Sequence, residues 1–370
     1  MSRERDAAEL DERILGTIDA WHRHGRSPSD AEFDDLALAI FAHQLRYNPA
    51  YAAYCAGYGY SPTALPTTWS AIPPLPARAY KEAAIAAFPI ERADLVFESS
   101  GTTLGEPSRH YIEDRRLYDA SLLAGFERAM LRDGTRLRYA LLVPNPAQRP
   151  HSSLGYMMGR VAVAFGDGET GWYLDEDRLL VDAFVADAGD ACDRGEPLCL
   201  AATAFSLFHL VETLEERGTT MRLPTGSRIM ETGGFKGRSR VVAREELYAR
   251  AERALGVPSE RIVAEYGMSE LCSQYYDRPG PERIVGGTAY RVKSAPPWLR
   301  TRVLDERERD VSPGSVGALA HIDLANRSSC LALLTEDLGA LVENGLVLLG
   351  RESGAQMRGC SLDAEDLRRS

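Results

Sequence analysis

The chain has 370 residues, 44% apolar and 26% charged, with a net charge of -11. That is ample material for a packed core, and the acidic balance excludes a general binder of the nucleic-acid backbone, which needs clustered Lys and Arg. The start, MSRERDAAELDERI, is charged, and the longest uncharged apolar-rich stretch, Leu198 to Val211, is too short for a bilayer core of about 30 Å, so a cytoplasmic protein without a membrane span is expected. Six cysteines, Cys55, Cys192, Cys199, Cys272, Cys330 and Cys360, are scattered without a C-x-x-C pair or zinc-finger spacing, and reduced thiols follow. Of the 43 basic residues only Lys81, Lys236 and Lys293 are lysine, so each hints at a place where a compact ammonium is wanted.

Residues 1–60 read as helical: Leu10, Ile14, Leu15, Ile18 and Trp21 follow helix spacing, as do Phe33, Leu36, Ala37, Ile40, Phe41 and Gln44. Ser29 or Asp30 is positioned to cap the second helix. The stretch SPTALPTTWSAIPPLP, from Ser61 to Pro76, cannot run as a helix and reads as an ordered loop anchored by Trp69. After residue 95 strands alternate with helices: DLVFESS, a helix from about Arg115 to Leu131, RYALLVP, LCLAATA and SLFHLVETLEERG. This alternation indicates an α/β fold with a substantially parallel sheet, in which ligands collect in the loops after strand ends. RIMETGGFKG and RIVAEYGMSE repeat the arrangement, and RTRVLD, GALAHIDL, CLALLTEDLG and LVLLG read as later β-rich segments.

Four loops carry candidate chemistry. Ser99-Ser100-Gly101-Thr102-Thr103 combines a permissive glycine, backbone N–H groups and hydroxyls, a set suited to phosphates, with Arg109 and His110 beyond it as cations. It is neither a Walker loop nor a G-x-G-x-x-G fingerprint, and a plain surface loop has the same composition. Glu265-Tyr266-Gly267-Met268-Ser269-Glu270 is not a hydrolase elbow, because Leu271 stands where G-x-S-x-G needs its last glycine. There Tyr266 suits a base and Glu270 a magnesium ion, although a strand end with a capping serine reads the same way. Glu231-Thr232-Gly233-Gly234-Phe235-Lys236-Gly237 has the glycines that close approach of backbone to a ligand requires. Thr335-Glu336-Asp337, after an apolar strand, offers Asp337 to ribose hydroxyls. Phe205 and His209, in the apolar passage AATAFSLFHL, are candidates to line a pocket, with a core histidine as the plainer reading.

S-S-G-T-T, G-G-x-x-G, Y-G-M-S-E, T-E-D and Gly350-Arg351, in that order, resemble the adenylate-forming superfamily of acyl and aryl ligases. More closely, FDDLALAIFAHQLRYNPAYAAYC, W-x-x-I-P-x-L-P with Lys81 following, TGGFKG, SAPPWLRTRVLD and the terminal RGCSL resemble the acyl-protein synthetase (LuxE-like) family over nearly the whole chain. The resemblance implies an α/β adenylate-forming large-domain fold with mixed and parallel sheets, without the usual small C-terminal domain. The core would be 1–350 and the tail 351–370 a flexible segment carrying Cys360. ATP and Mg2+ are implied: Ser99, Ser100, Gly101, Thr102 and Thr103 at the phosphates, Gly233 and Gly234 beside the nucleotide, Tyr266, Gly267 and Ser269 at adenine, Glu270 at the metal, Asp337 at ribose, and Arg351 at the hinge.

With the superfamily's late lysine missing from this chain, Arg109, Lys236 or the metal must neutralise the transition-state charge. Cys360 lies nine residues beyond Arg351, and a tail of that length extends to about 30 Å, enough for a tethered acyl carrier. Arg358 nearby favours its thiolate. The expected activity is acyl-adenylate formation from a carboxylic acid, a fatty acid by resemblance, then thioester transfer to Cys360 and on to an acyl-accepting reductase or carrier protein. Two alternatives stay open: a ligase delivering the acyl group to coenzyme A or a carrier thiol, and a non-catalytic acyl-binding subunit. The other five cysteines read as core residues.

Overall fold

The computed structural model describes residues 2–99, 107–233 and 243–351. The chain forms two compact units, Met1–Ala124 with Met268–Ser370, and Gly125–Gly267. The first opens with helices α1 (Arg3–His24), α2 (Asp30–Tyr47) and α3 (Pro49–Ala56). Ser2 caps α1, with Glu4 and Asp6 in its positive first turn and His22, Arg23 and His24 in its negative last turn. Ser29 and Glu32 close a capping box on α2. Of the predicted stripes, Leu10, Ile14 and Ile18 on α1 and Phe33, Leu36, Ala37, Ile40, Phe41 and Gln44 on α2 are buried, while Leu15 and Trp21 are half-buried. Each large apolar side chain buried this way stabilises by about 1.5 to 3 kcal/mol. Trp69 anchors the proline-rich loop as expected, since its backbone N–H donates to Asp34 at 2.6 Å and its ring meets Phe33 edge-on at 5.7 Å.

Further along lie β1 (Leu75–Pro76), α4 (Ala79–Glu82), the antiparallel pair β2 (Leu95–Glu98) and β3 (Arg109–Ile112), and α5 (Arg115–Met130). The second unit contains β4 (Arg138–Leu142), α6 (Ser153–Phe165), β5 (Gly171–Trp172), the hairpin β6 (Leu174–Asp175) and β7 (Arg178–Leu179), α7 (Val181–Arg194), β8 (Leu198–Thr203), α8 (Ala204–Glu216), β9 (Arg228–Thr232), α9 (Arg244–Leu255) and β10 (Ile262–Tyr266). Among its described residues, five parallel strands run β10-β9-β8-β4-β5. Leu198–Ala202 of β8 is buried throughout, which explains its unbroken apolar run. Phe184, Leu200, Leu207, Val211, Leu247 and Ile262 form part of the core against these strands.

Back in the first unit the chain turns antiparallel, with β11 (Tyr275–Asp277), the hairpin β12 (Arg283–Val285) and β13 (Thr288–Tyr290), β14 (Lys293–Ser294), β15 (Leu299–Leu304), β16 (Gly317–Asp323), β17 (Ala332–Val342) and β18 (Gly345–Arg351). The order is β15-β16-β17-β18-β14-β11, and β1 lies parallel to β17 at Leu333 and Leu334. The fold is therefore α/β with parallel and antiparallel strands, as expected. No helix among the described residues is long and apolar enough to cross a membrane.

Candidate functional site

In the first unit, β2 and β3 bring together the two ends of the S-S-G-T-T loop. Glu98 and Arg109 face each other in register, with Nε 3.0 Å from the carboxylate. One residue further, Ser99 N–H donates to Ser108 O at 3.1 Å, and Ser108 N–H donates to Ser99 Oγ at 3.1 Å. Ser100, Gly101, Thr102 and Thr103 lie outside the described residues. Side chains alternate along β3, so Arg109 is exposed while His110 points inward.

That alternation corrects the reading of His110 as a phosphate's cation. It is fully buried, with Nδ1 2.7 Å from Ser269 O and Nε2 3.0 Å from Asn326 Oδ1. Burial lowers its pKa, and the pull of these two acceptors does not outweigh that. The glutamate of Y-G-M-S-E lies beside it in sequence contact with Ser269: Glu270 is 6% exposed and accepts from Ser108 Oγ at 2.6 Å. The neck of the serine loop is thus tied to the proposed metal ligand. Ser108, Asn326 and the turn that carries Asn326 were missed in the sequence. The available signals were the third serine of FESSGTTLGEPSRHYIED and the polar run DLANRSS after an apolar strand.

The T-E-D triplet lies inside β17, not after a strand, because β17 runs on to Val342. Asp337 there stands opposite Arg351 of β18, with oxygen and guanidinium 3.4 Å apart, so the structure brings two of the expected nucleotide residues together. Gly350, at φ 124, supplies a backbone angle that a side chain would strain, beside the register shift between Leu338 and Gly339.

In the second unit, Gly233 follows β9 at φ 74, and Tyr266 ends β10 at 8% exposure with Gly267 after it. These neighbouring parallel strands end side by side, with Glu265 opposite Thr232, whose hydroxyl donates to the Glu265 carboxylate. Tyr248 OH donates to Glu231 at 3.0 Å. Gly234 and Lys236 lie outside the described residues. Both loops therefore leave the C-terminal edge, where open α/β sheets take ligands. A polar cleft of about 510 Å³, which includes Arg138 and Pro197 at the starts of β4 and β8, belongs to the opposite edge of the sheet.

Other residues singled out in the sequence stand apart from these loops. Lys293 is buried at 1% exposure, and its Nζ lies 2.9 Å from Asp277, so this lysine is an internal ion pair rather than a surface charge. Lys81 is exposed on α4. Phe205 and His209 stack on the exposed face of α8, which rules out the core histidine. Cys55, Cys199, Cys272 and Cys330 are buried as expected, while Cys192 is half-buried; Cys360 lies outside the described residues.

The fold is that of the large domain of adenylate-forming enzymes. An open conformation of 2-hydroxyisobutyryl-CoA ligase, solved with 2-HIB-AMP and CoA, is similar at a TM-score of 0.60 and 15% identity over 88% of this chain and 76% of that one. The same ligase in its postadenylation state, with R3-HIB-AMP, matches at 0.59 and 15% identity over 88% and 69%. McyG A-PCP with phenylalanyl-adenylate matches at 0.50 and 16% identity over 72% of this chain and 48% of that one. The sequence model of the acyl-protein synthetase, LuxE, matches residues 7–366, and the chain belongs to that family. Membership places it among the adenylate-forming ligases, enzymes that activate carboxylic acids with ATP. No curated protein matches the sequence significantly.

Proposed function

We propose that the protein joins a carboxylic acid, a fatty acid by family, to ATP as an acyl-adenylate, and then transfers the acyl group to the Cys360 thiol for delivery to a partner protein. In the first step a carboxylate oxygen attacks the α-phosphorus and pyrophosphate leaves. In the second the Cys360 thiolate attacks the acyl carbonyl, AMP leaves, and a thioester remains. The observation that carries this reading is the tie between Ser108, at the neck of the S-S-G-T-T loop, and Glu270 of Y-G-M-S-E at 2.6 Å. Two motifs suited to phosphate and metal meet there although they lie far apart in the chain.

Glu270 fits Mg2+, a hard cation that takes carboxylate oxygens. No cluster of three or more His, Cys, Asp or Glu gathers among the described residues. Mg2+ itself uses few protein ligands and completes its shell with water and substrate phosphate oxygens. When bound, Mg2+ would neutralise phosphate charge. Ser99 to Thr103 would hold phosphates, Gly233, Gly234, Tyr266, Gly267 and Ser269 the adenine side, and Asp337 the ribose. Arg109 and Lys236 would supply positive charge. Arg109 is 48% exposed in its side chain, so solvent screens its pairing with Glu98 and little opposes its turning to a phosphate.

The test is an intact mass spectrum after incubation with ATP, Mg2+ and a panel of carboxylic acids. The expected result is a hydroxylamine-sensitive acyl adduct, absent from Cys360→Ser. Acyl-CoA formation without an adduct would move the acceptor to coenzyme A. No ATP–pyrophosphate exchange with any acid would remove the ligase reading.

A further inference from the structure

We infer that His110 and Asn326 form a buried clamp that positions the 269–270 segment, and that α2 and Arg327 hold the clamp in place; this rests on the reading of Glu270 as the metal ligand. The clamp grips both residues by their backbone. His110 Nδ1 donates to Ser269 O at 2.7 Å, Asn326 Nδ2 donates to Glu270 O at 2.9 Å, and the two side chains pack against each other with His110 Nε2 3.0 Å from Asn326 Oδ1. Both side chains are fully buried. Ser108, two residues before His110 on the same strand approach, meets the Glu270 carboxylate. One hairpin end thus touches the glutamate's side chain while the clamp holds its main chain.

Asn326 is itself held from the N-terminal helices. Gln44 Nε2 donates to Asn326 O at 2.9 Å and to Arg327 O at 3.0 Å, and Gln44 Oε1 accepts from Leu331 N–H at 3.1 Å. Asn48 Nδ2 donates to Ser329 O at 3.1 Å. Arg327, 1% exposed, forms a fork on Asp11 at 2.7 and 2.8 Å and reaches Glu113 at 2.7 Å. The turn is therefore fixed by buried polar groups whose loss leaves orphaned partners. Hydrogen-bonded neighbours that aim a metal's ligand typically change metal affinity or activity by about 10- to 100-fold when removed. His110 and Asn326 are positioning residues in this sense.

The experiment uses the full chain and the variants Asn326→Ala, His110→Ala and His110→Asn. Three quantities are read: the Mg2+ concentration for half-maximal ATP–pyrophosphate exchange, calorimetric binding of Mn2+ in the presence of ATP, and hydrogen exchange of the 269–273 amides. Asn326→Ala and His110→Ala should raise the Mg2+ requirement and weaken Mn2+ binding by about 10-fold or more, with faster exchange at those amides. His110→Asn, which retains a donor for Ser269 O, should recover part of the loss. Where Asn326→Ala does not fold, Asn326→Asp carries the test, because it keeps the shape and lacks the donor to Glu270 O. Folded variants with wild-type metal requirement, or with lower activity at unchanged metal requirement, overturn the clamp. Absence of exchange in the wild-type chain with every acid would instead sink the ligase reading, and Mn2+ binding and amide exchange would still judge the clamp.

Discussion

Glu270 and Asp337 sit in different surroundings, and their variants should differ accordingly. Glu270 is buried and tied to Ser108, whereas Asp337 pairs with Arg351, whose side chain is 51% exposed. Glu270→Gln should depress ATP–pyrophosphate exchange more than Asp337→Ala, because a metal neutralises several phosphate oxygens. A ribose hydrogen bond to a charged group contributes about 1.5 to 3 kcal/mol, or roughly 10- to 150-fold. Equal, wild-type exchange in both variants would remove the nucleotide assignment. The described thiols make a second expectation at this scale. Burial pushes Cys199 and Cys330 up to about 12 and raises Cys55 and Cys272 as well. At pH 7 a thiol of that pKa is about one part in 10⁵ thiolate. Brief alkylation of the native chain should leave those four unlabelled in peptide maps, and prompt labelling of any of them would contradict the packing.

At the scale of elements, Arg228 at the start of β9 joins the end of α5. Its guanidinium donates to Met130 O and lies 3.0 Å from Asp133. The Arg228 hydrogen bond lowers the Asp133 pKa to about 2. A depressed carboxyl stabilises the fold above its unfolded pKa, and that contribution is lost as pH falls from about 4 through 2. Asp133→Asn should therefore flatten the acid limb of stability between pH 4 and 2, measured as urea midpoints. Asp133 is 51% exposed in its side chain, so screening keeps the effect below about 1 kcal/mol. Parallel curves for the two proteins would show that the pair contributes nothing.

For the whole molecule, the proposal divides catalysis into two steps that mutation should separate. Thr102→Val with Thr103→Val should abolish both pyrophosphate exchange and protein acylation, because no acyl-adenylate forms. Cys360→Ser should keep the exchange and lose the thioester. If Cys360→Ser also stops exchange in a folded protein, the thiol belongs to the first step and the tethered carrier is wrong. Normal adenylation by the threonine variant would make FESSGTTLGEPSRHYIED an ordinary surface loop.

Much of this architecture was legible before any coordinates. The stripes of α1 and α2, the capping box at Ser29 and the alternation of strands and helices through β10 all depend on neighbours one or two turns away. Local spacing encodes such features directly. The motif residues proposed for phosphate, base and metal stand out by residue type, since each of those ligands asks for a recognisable chemistry. What only the tertiary structure decided is which of them meet. Ser108 touches Glu270 across 162 positions and His110 meets Asn326 across 216, separations over which no local period operates. The inward turn of His110 follows from the register of β2 on β3, and the meeting of Asp337 with Arg351 from the length of β17 and its pairing with β18. Register is set by the core each strand covers, and a shift of one residue exchanges its faces. The sequence alone thus determined the elements, and the packed sheets determined which groups are buried partners and which face outward.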